Sequence, residues 1–134
     1  MDAQKIEAFA KEWIQAWNHR DLEAVLSHYT EDVEFQSLVV KLIGETSGTV
    51  RGKQNLREYF GKGLAAFSGD LGFELLEVYV GVDSLLVHFQ VMGRKAIEVM
   101  ELNREGKIRR ALTDRKSTRL NSSHSRASRM PSSA

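Results

Sequence analysis

One carboxylate in this 134-residue sequence stands among apolar residues at strand spacing, and its chemistry is the clearest of any residue in the chain. In the run Lys95 to Leu102, successive side chains alternate, so Ala96, Glu98, Met100 and Leu102 share one face. The preceding run, Ser84 to Met92, presents Leu85, Val87, Phe89 and Val91 together. A two-residue loop at Gly93-Arg94 pairs Met92 with Lys95 and brings Phe89 opposite Glu98. A four-residue turn at Asn103-Arg104-Glu105-Gly106 pairs Leu102 with Lys107 and sets Ala111 opposite Glu98. Glu98 is then the single charged group of an apolar face. A carboxylate there loses hydration, so its pKa is expected to rise towards the range where it donates a proton or stabilises an oxyanion. The competing expectation is a structural glutamate satisfied by the indole N–H of Trp13 or Trp17, by Tyr29 or by Arg109.

Aromatic and sulfur-bearing residues supply candidate walls for a ligand site beside it. Trp13, Trp17, Tyr29, Phe35, Phe60, Val87, Phe89 and Met100 are the expected lining, with Tyr29 as a hydroxyl donor. The same spacing also suits plain core packing. The opposite sheet face carries His88, Gln90, Ile97, Val99 and Glu101, a mixed surface suited to a partner. Gly61 to Ala66 fits G-x-G-x-x-A, but it falls within a helical pattern instead of after a strand, so a dinucleotide site fails its context. No Walker loop, nucleophile elbow, H-E-x-x-H or EF-hand spacing occurs, and neither a metal nor another cofactor is expected.

The elements that must position these residues follow from periodicity. Ile6, Phe9, Ala10, Trp13 and Trp17 form one stripe of a helix over Ala3 to Asn18. Asp21 is a plausible N-cap for a short second helix with Leu22, Val25, Leu26 and Tyr29 inward. Val33 to Ser37 alternates as a strand, Leu38 to Ile43 is an apolar run of undecided state, and Gly44 to Gly48 is rich in turn formers. Gly52 precedes a third helix with Leu56, Phe60, Leu64 and Phe67 on its stripe. From Leu71 the period becomes two, giving strands at Phe73 to Val80, Ser84 to Met92, Lys95 to Leu102 and Lys107 to Thr113. The order α-α-β-β-α-β-β-β-β implies an α+β domain, with three helices packed on an antiparallel sheet.

Composition bounds the function. There is no cysteine, which excludes disulfides and thiolate metal sites, and no run approaches the ~18 apolar residues of a membrane helix. The start is charged and lacks the apolar core of a signal peptide, so the expected location is the cytoplasm. Residues 114–134 differ from the rest: five basic residues, one acid, seven serines and the only proline. Asp114 to His124 and Ser128 to Ala134 read as translations of the two constant parts of a common sequencing-library adapter, with Ser125 to Ala127 in place of its index. We expect a single domain over 1–113 followed by an appended, disordered tail. Residues 1–113 then hold 14 basic and 17 acidic residues, without the basic footprint of a nucleic-acid binder.

Several segments together resemble the nuclear-transport-factor-2-like superfamily, in particular its SnoaL-like and ketosteroid-isomerase-like members. They are Trp13-Ile14-Gln15-Ala16-Trp17-Asn18, Arg20-Asp21-Leu22-Glu23, Tyr29 to Phe35, Gly48-Thr49-Val50-Arg51-Gly52, and Glu98 to Leu102 with Gly106-Lys107-Ile108. The resemblance implies a cone-shaped fold and a pocket for an apolar polyketide-, terpene- or steroid-like molecule. It also implies cofactor-independent isomerase, cyclase or dehydratase chemistry, or a non-catalytic partner-binding role, and a homodimer through the outer sheet face under either. Carried over, Glu98 falls where ketosteroid isomerases keep a protonated aspartate, Trp13 where they keep a tyrosine, and Ser37 near their general base.

Overall fold

The computed structural model describes residues 2–38, 40 and 47–116. Helix α1 (Ala3–Asn18) begins where the Asp2 carboxylate accepts a hydrogen bond from the Lys5 backbone N–H at 2.9 Å. Its stripe of Ile6, Phe9, Ala10 and Trp13 is buried, with Trp17 half-buried. After a reversal at Arg20 (φ 57°), Asp21 caps α2 (Leu22–Leu26) by accepting from the Ala24 N–H at 3.1 Å. This helix is shorter than its apolar spacing suggests. The Ser27 hydroxyl donates to the Ala24 carbonyl at 2.6 Å and competes with helix propagation. Tyr29, expected on the inner face of α2, instead opens strand β1 (Tyr29–Ser37), with its side chain fully buried.

Strand β2 (Thr49–Arg51) pairs antiparallel with β1. Gly52 then adopts φ 87°, a conformation strained for any side chain, while its N–H donates to the Val33 carbonyl at 2.7 Å. That turn launches α3 (Lys53–Ala66), which buries Leu56 and Phe60. Phe67, expected to extend the stripe, caps the helix and is 47% exposed. Gly61 to Ala66 lies inside α3, where no phosphate-binding turn exists. Apart from Leu38, Val40, Ser47 and Gly48, the run 38–48 lies outside the described residues, as do residues 117–134, most of the expected tail.

Strands β3 (Glu74–Gly81), β4 (Ser84–Val91), β5 (Arg94–Leu102) and β6 (Ile108–Arg115) complete a six-stranded sheet of order β2-β1-β6-β5-β4-β3. The α+β cone of helices on a sheet is the expected architecture. One pair, β1 with β6, runs parallel, so the sheet is mixed. Strand β6 runs to Arg115, two residues beyond the expected domain boundary.

Both hairpin registers differ from expectation by two residues. The β4–β5 loop is Met92-Gly93, with φ 50° and 79°, so Val91 pairs with Arg94 and Val87 stands opposite Glu98. Two successive positive φ values match the twist of a tight hairpin. A slip of two preserves alternation, so every side chain keeps its face. In the next hairpin Leu102 pairs with Ile108 instead of Lys107, and an irregularity between Glu101 and Leu102 adds one more residue, so Thr113, not Ala111, stands opposite Glu98.

Candidate functional site

The registers set Ser37, Thr113, Glu98 and Val87 in one row across β1, β6, β5 and β4. Glu98 is 3% exposed and forms no ion pair among the described residues. Its Oε2 accepts from the Tyr29 hydroxyl at 3.1 Å and its Oε1 from the Thr113 hydroxyl at 2.8 Å. The Tyr29 oxygen in turn accepts from the Trp13 indole N–H at 3.0 Å. Burial pushes the Glu98 carboxyl from 4.5 up to about 7, against the opposing pull of the Thr113 and Tyr29 hydrogen bonds. Arg109, a candidate partner from the sequence, lies on the other face and pairs with Glu101 at 3.0 Å. Tyr29 is held well above the ordinary tyrosine range by burial and then by the neighbouring Glu98. It therefore stays a hydroxyl.

Glu98 and Thr113 open onto a cavity of about 460 Å³, within the size range of small-molecule pockets. Of the residues singled out from the sequence, Trp13, Trp17, Phe35, Phe60 and Phe89 line it. Tyr29, Val87 and Met100 do not: all three are fully buried behind the wall, and Tyr29 acts on Glu98 instead of reaching the cavity. The wall is rich in aromatic rings. Phe73 stacks on Trp17 at 5.4 Å and on Phe89 at 5.5 Å, while Trp13 meets Phe89 edge-on at 5.3 Å. The Trp17 indole nitrogen is buried and has no hydrogen-bond partner among the described residues.

Thr113, Tyr59, Phe73 and Lys62 belong to the wall but were missed from sequence. Tyr59 was missed because it lies off the apolar stripe of α3; burial raises its pKa, and the Ser37 hydroxyl bonds to it. Thr113 was missed through the register alone. The connector Asn18-His19-Arg20 also does more than join helices. Asn18 exchanges two 2.8 Å hydrogen bonds with the Phe73 backbone. Arg20 donates to the carbonyls of Leu64 (2.5 Å), Gly69 (3.0 Å) and Phe67. Together they fasten the α3–β3 connection beside the cavity. Among the described residues no cluster of three His, Asp or Glu could hold a metal, and no helix is long and apolar enough to cross a membrane.

The arrangement is a buried carboxyl at the wall of an aromatic cavity, in a cone of helices on a six-stranded sheet. The model of the SnoaL-like domain matches residues 10–115. The chain belongs to the SnoaL-like family. Among solved structures of this fold, a SnoaL-like protein of unknown function from Burkholderia thailandensis E264 is 36% identical. The alignment covers 87% of this chain and 98% of that one, with a TM-score of 0.81. The epoxide hydrolase/cyclase-like enzyme SalBIII, which has a role in pyran ring formation in salinomycin, is 22% identical; 87% and 95% of the chains align, with a TM-score of 0.68. A putative ketosteroid isomerase from Kribbella flavida is 16% identical over 83% and 77%, with a TM-score of 0.60. The last two likenesses concern the SnoaL-like fold alone. No curated protein matches the sequence.

Proposed function

We propose that this SnoaL-like domain binds a small apolar molecule bearing an oxygen function and that Glu98 serves it as a general acid. The observation that carries this reading is the Glu98 carboxyl, without a counter-ion among the described residues, raised to about 7 by burial and set in the wall of a 460 Å³ aromatic cavity. A carboxyl that is substantially neutral near pH 7 can protonate a ketone oxygen towards enolisation, an epoxide oxygen towards ring opening and cyclisation, or a hydroxyl leaving as water. These are isomerase, cyclase and dehydratase chemistries, and polyketide-, terpene- and steroid-like skeletons carry such groups. The cyclase-like and isomerase-like names of two fold relatives agree with this range.

The test is a thermal-shift screen of apolar oxygenated compounds, followed by turnover assays of the hits on wild type and Glu98→Gln. A ligand at ~100 times its Kd should stabilise by about 2.7 kcal/mol. Turnover should vanish in Glu98→Gln with the fold retained, because an amide cannot release a proton. Absence of any stabilising compound, or full turnover by the variant, overturns the reading.

A second reading rests on the outer face. Leu86, Val99 and Leu112 form a half-buried apolar row across β4, β5 and β6, beside Tyr79, which is 56% exposed. His88, Gln90, Ile97 and Glu101 surround this row, with His88 paired to Glu77 at 3.1 Å and Glu101 to Arg110 at 3.2 Å. An apolar stripe between charged rows suits a homodimer through this face, testable by light scattering.

A further inference from the structure

Hydrogen-bond accounting around Glu98 shows where its proton can sit. In the observed arrangement both oxygens accept: Oε2 from Tyr29 and Oε1 from Thr113. This is the pattern of the ionised carboxylate. The neutral acid must instead donate through one oxygen, and the two are not equivalent. The Tyr29 oxygen already accepts the Trp13 N–H, and its ring is wholly buried edge-on to Phe60. A proton on Oε2 would point at Tyr29 and leave the tyrosine's own hydrogen without an acceptor in the core. Thr113 is different. It is half-buried, it lines the cavity, and its hydroxyl makes no other hydrogen bond among the described residues. A hydroxyl rotates freely enough to accept from one side and donate to the other.

We infer that Thr113 is the residue through which Glu98 hands its proton to a ligand: the neutral acid donates from Oε1 to Thr113 Oγ1, and the Thr113 hydroxyl hydrogen turns into the cavity towards a carbonyl or ether oxygen. The inference rests on the proposed function and narrows its ligand to one with an oxygen acceptor against β6. In the transfer step Oε1 gives its proton to Oγ1 as Oγ1 gives its own to the ligand oxygen. The ligand oxygen gains one proton, Glu98 becomes a carboxylate, and Thr113 ends donating to Oε1, as observed. Tyr29 and Trp13 are positioning residues: they fix Oε2 as an acceptor and so leave Oε1 to carry the exchangeable proton.

The probe is 1-tetralone carrying a 13C-labelled carbonyl, with tetralin as the control that lacks oxygen, bound to the full 134-residue chain at pH 5.5 and pH 9. In wild type at pH 5.5 the bound carbonyl band should move to lower wavenumber than in a hydrocarbon solvent, and the ketone should bind ~10-fold tighter than tetralin, the worth of one good hydrogen bond. At pH 9 the shift should disappear, because Thr113 returns to the ionised Glu98. The other ionisable groups of the cavity wall are Tyr59, Lys62 and Arg115, with Tyr29 behind it; burial raises both tyrosines. Thr113→Val should lose the shift and the tenfold preference while binding tetralin as wild type does, and Thr113→Ser should restore both. The pH comparison needs no variant, and tetralin binding reports an intact cavity. A shift that survives in Thr113→Val, or an unshifted ketone in wild type at pH 5.5, overturns the relay and leaves the cavity reading standing. If neither compound binds wild type, the cavity reading fails and the relay with it.

Discussion

Replacing Glu98 by glutamine should remove a pH dependence of stability that this one group imposes. In the folded protein Glu98 keeps its proton up to about 7, whereas an ordinary glutamate releases it near 4.5. Between those values the folded state binds a proton that the unfolded state has lost, so stability falls as pH rises through the window. The contribution is fully present below 4.5 and gone above 7. At ~1.4 kcal/mol per pH unit, the gap between the two values amounts to about 3 kcal/mol. Glutamine reproduces the hydrogen bonds of the neutral acid, its carbonyl accepting from Tyr29 and its amide donating to Thr113. Wild type and Glu98→Gln should therefore be nearly equal in stability at pH 4.5, and the variant should lead by about 3 kcal/mol at pH 8, a Tm difference on the order of 10 °C. Urea denaturation of both proteins from pH 4.5 to 9 measures this, and the difference between them cancels the other titrating groups. A constant difference across the window refutes the reasoning. So does a wild type that gains on the variant as pH rises, since that is the behaviour of a carboxylate held ionised.

Trp13→Phe removes the N–H that Tyr29 accepts and should cost about 1–3 kcal/mol in urea denaturation, because a buried oxygen loses its donor; an unchanged midpoint would count against the network. Arg20→Ala frees three carbonyls in the last turn of α3 and the connection after it, so amide exchange in residues 67–72 should quicken by ~10-fold or more while α1 is unaffected. Gly93→Ala meets no atom within 4 Å, yet φ 79° should cost about 1 kcal/mol in the denaturation midpoint. Leu86→Lys with Val99→Lys should turn a dimer into a folded monomer by light scattering; a wild type that is itself monomeric refutes the outer-face reading.

Much of this architecture was legible because alternation survives errors that register does not. Glu98 reads as the lone acid of an apolar face on either hairpin pairing, since both slips are of two residues. The partner of Glu98 was not legible. Placing the turn at Gly93-Arg94 follows from assuming that glycine opens it, whereas Met92 takes the first positive φ (50°) and glycine the second. The irregularity at Glu101 has no composition signal, and together with a turn that pairs Leu102 with Ile108 instead of Lys107 it brings Thr113 to the carboxylate. Val87 and Met100 were assigned to the cavity because they share its face, but a face continues beneath the helices, and only part of it borders open space. Tyr59 carries a polar tip at a position that helical periodicity assigns to solvent. The parallel pairing of β1 with β6 joins distant segments, and no local pattern announces it.

That pairing governs how the protein can be made. Strand β6 is the last of the six in the chain, yet it lies inside the sheet, between β1 and β5. Until it arrives, β1 with β2 and the β3–β4–β5 meander are two separate ribbons with unpaired edges. On the ribosome the sheet cannot close until β6 has left the exit tunnel, and the contacts that close it are long-range ones, the kind that form slowly. The strand that joins the ribbons also supplies Thr113, so the step that closes the sheet is the one that encloses Glu98. A nascent chain held short of β6 would keep that glutamate hydrated and charged, with both ribbon edges open to chaperones or to one another.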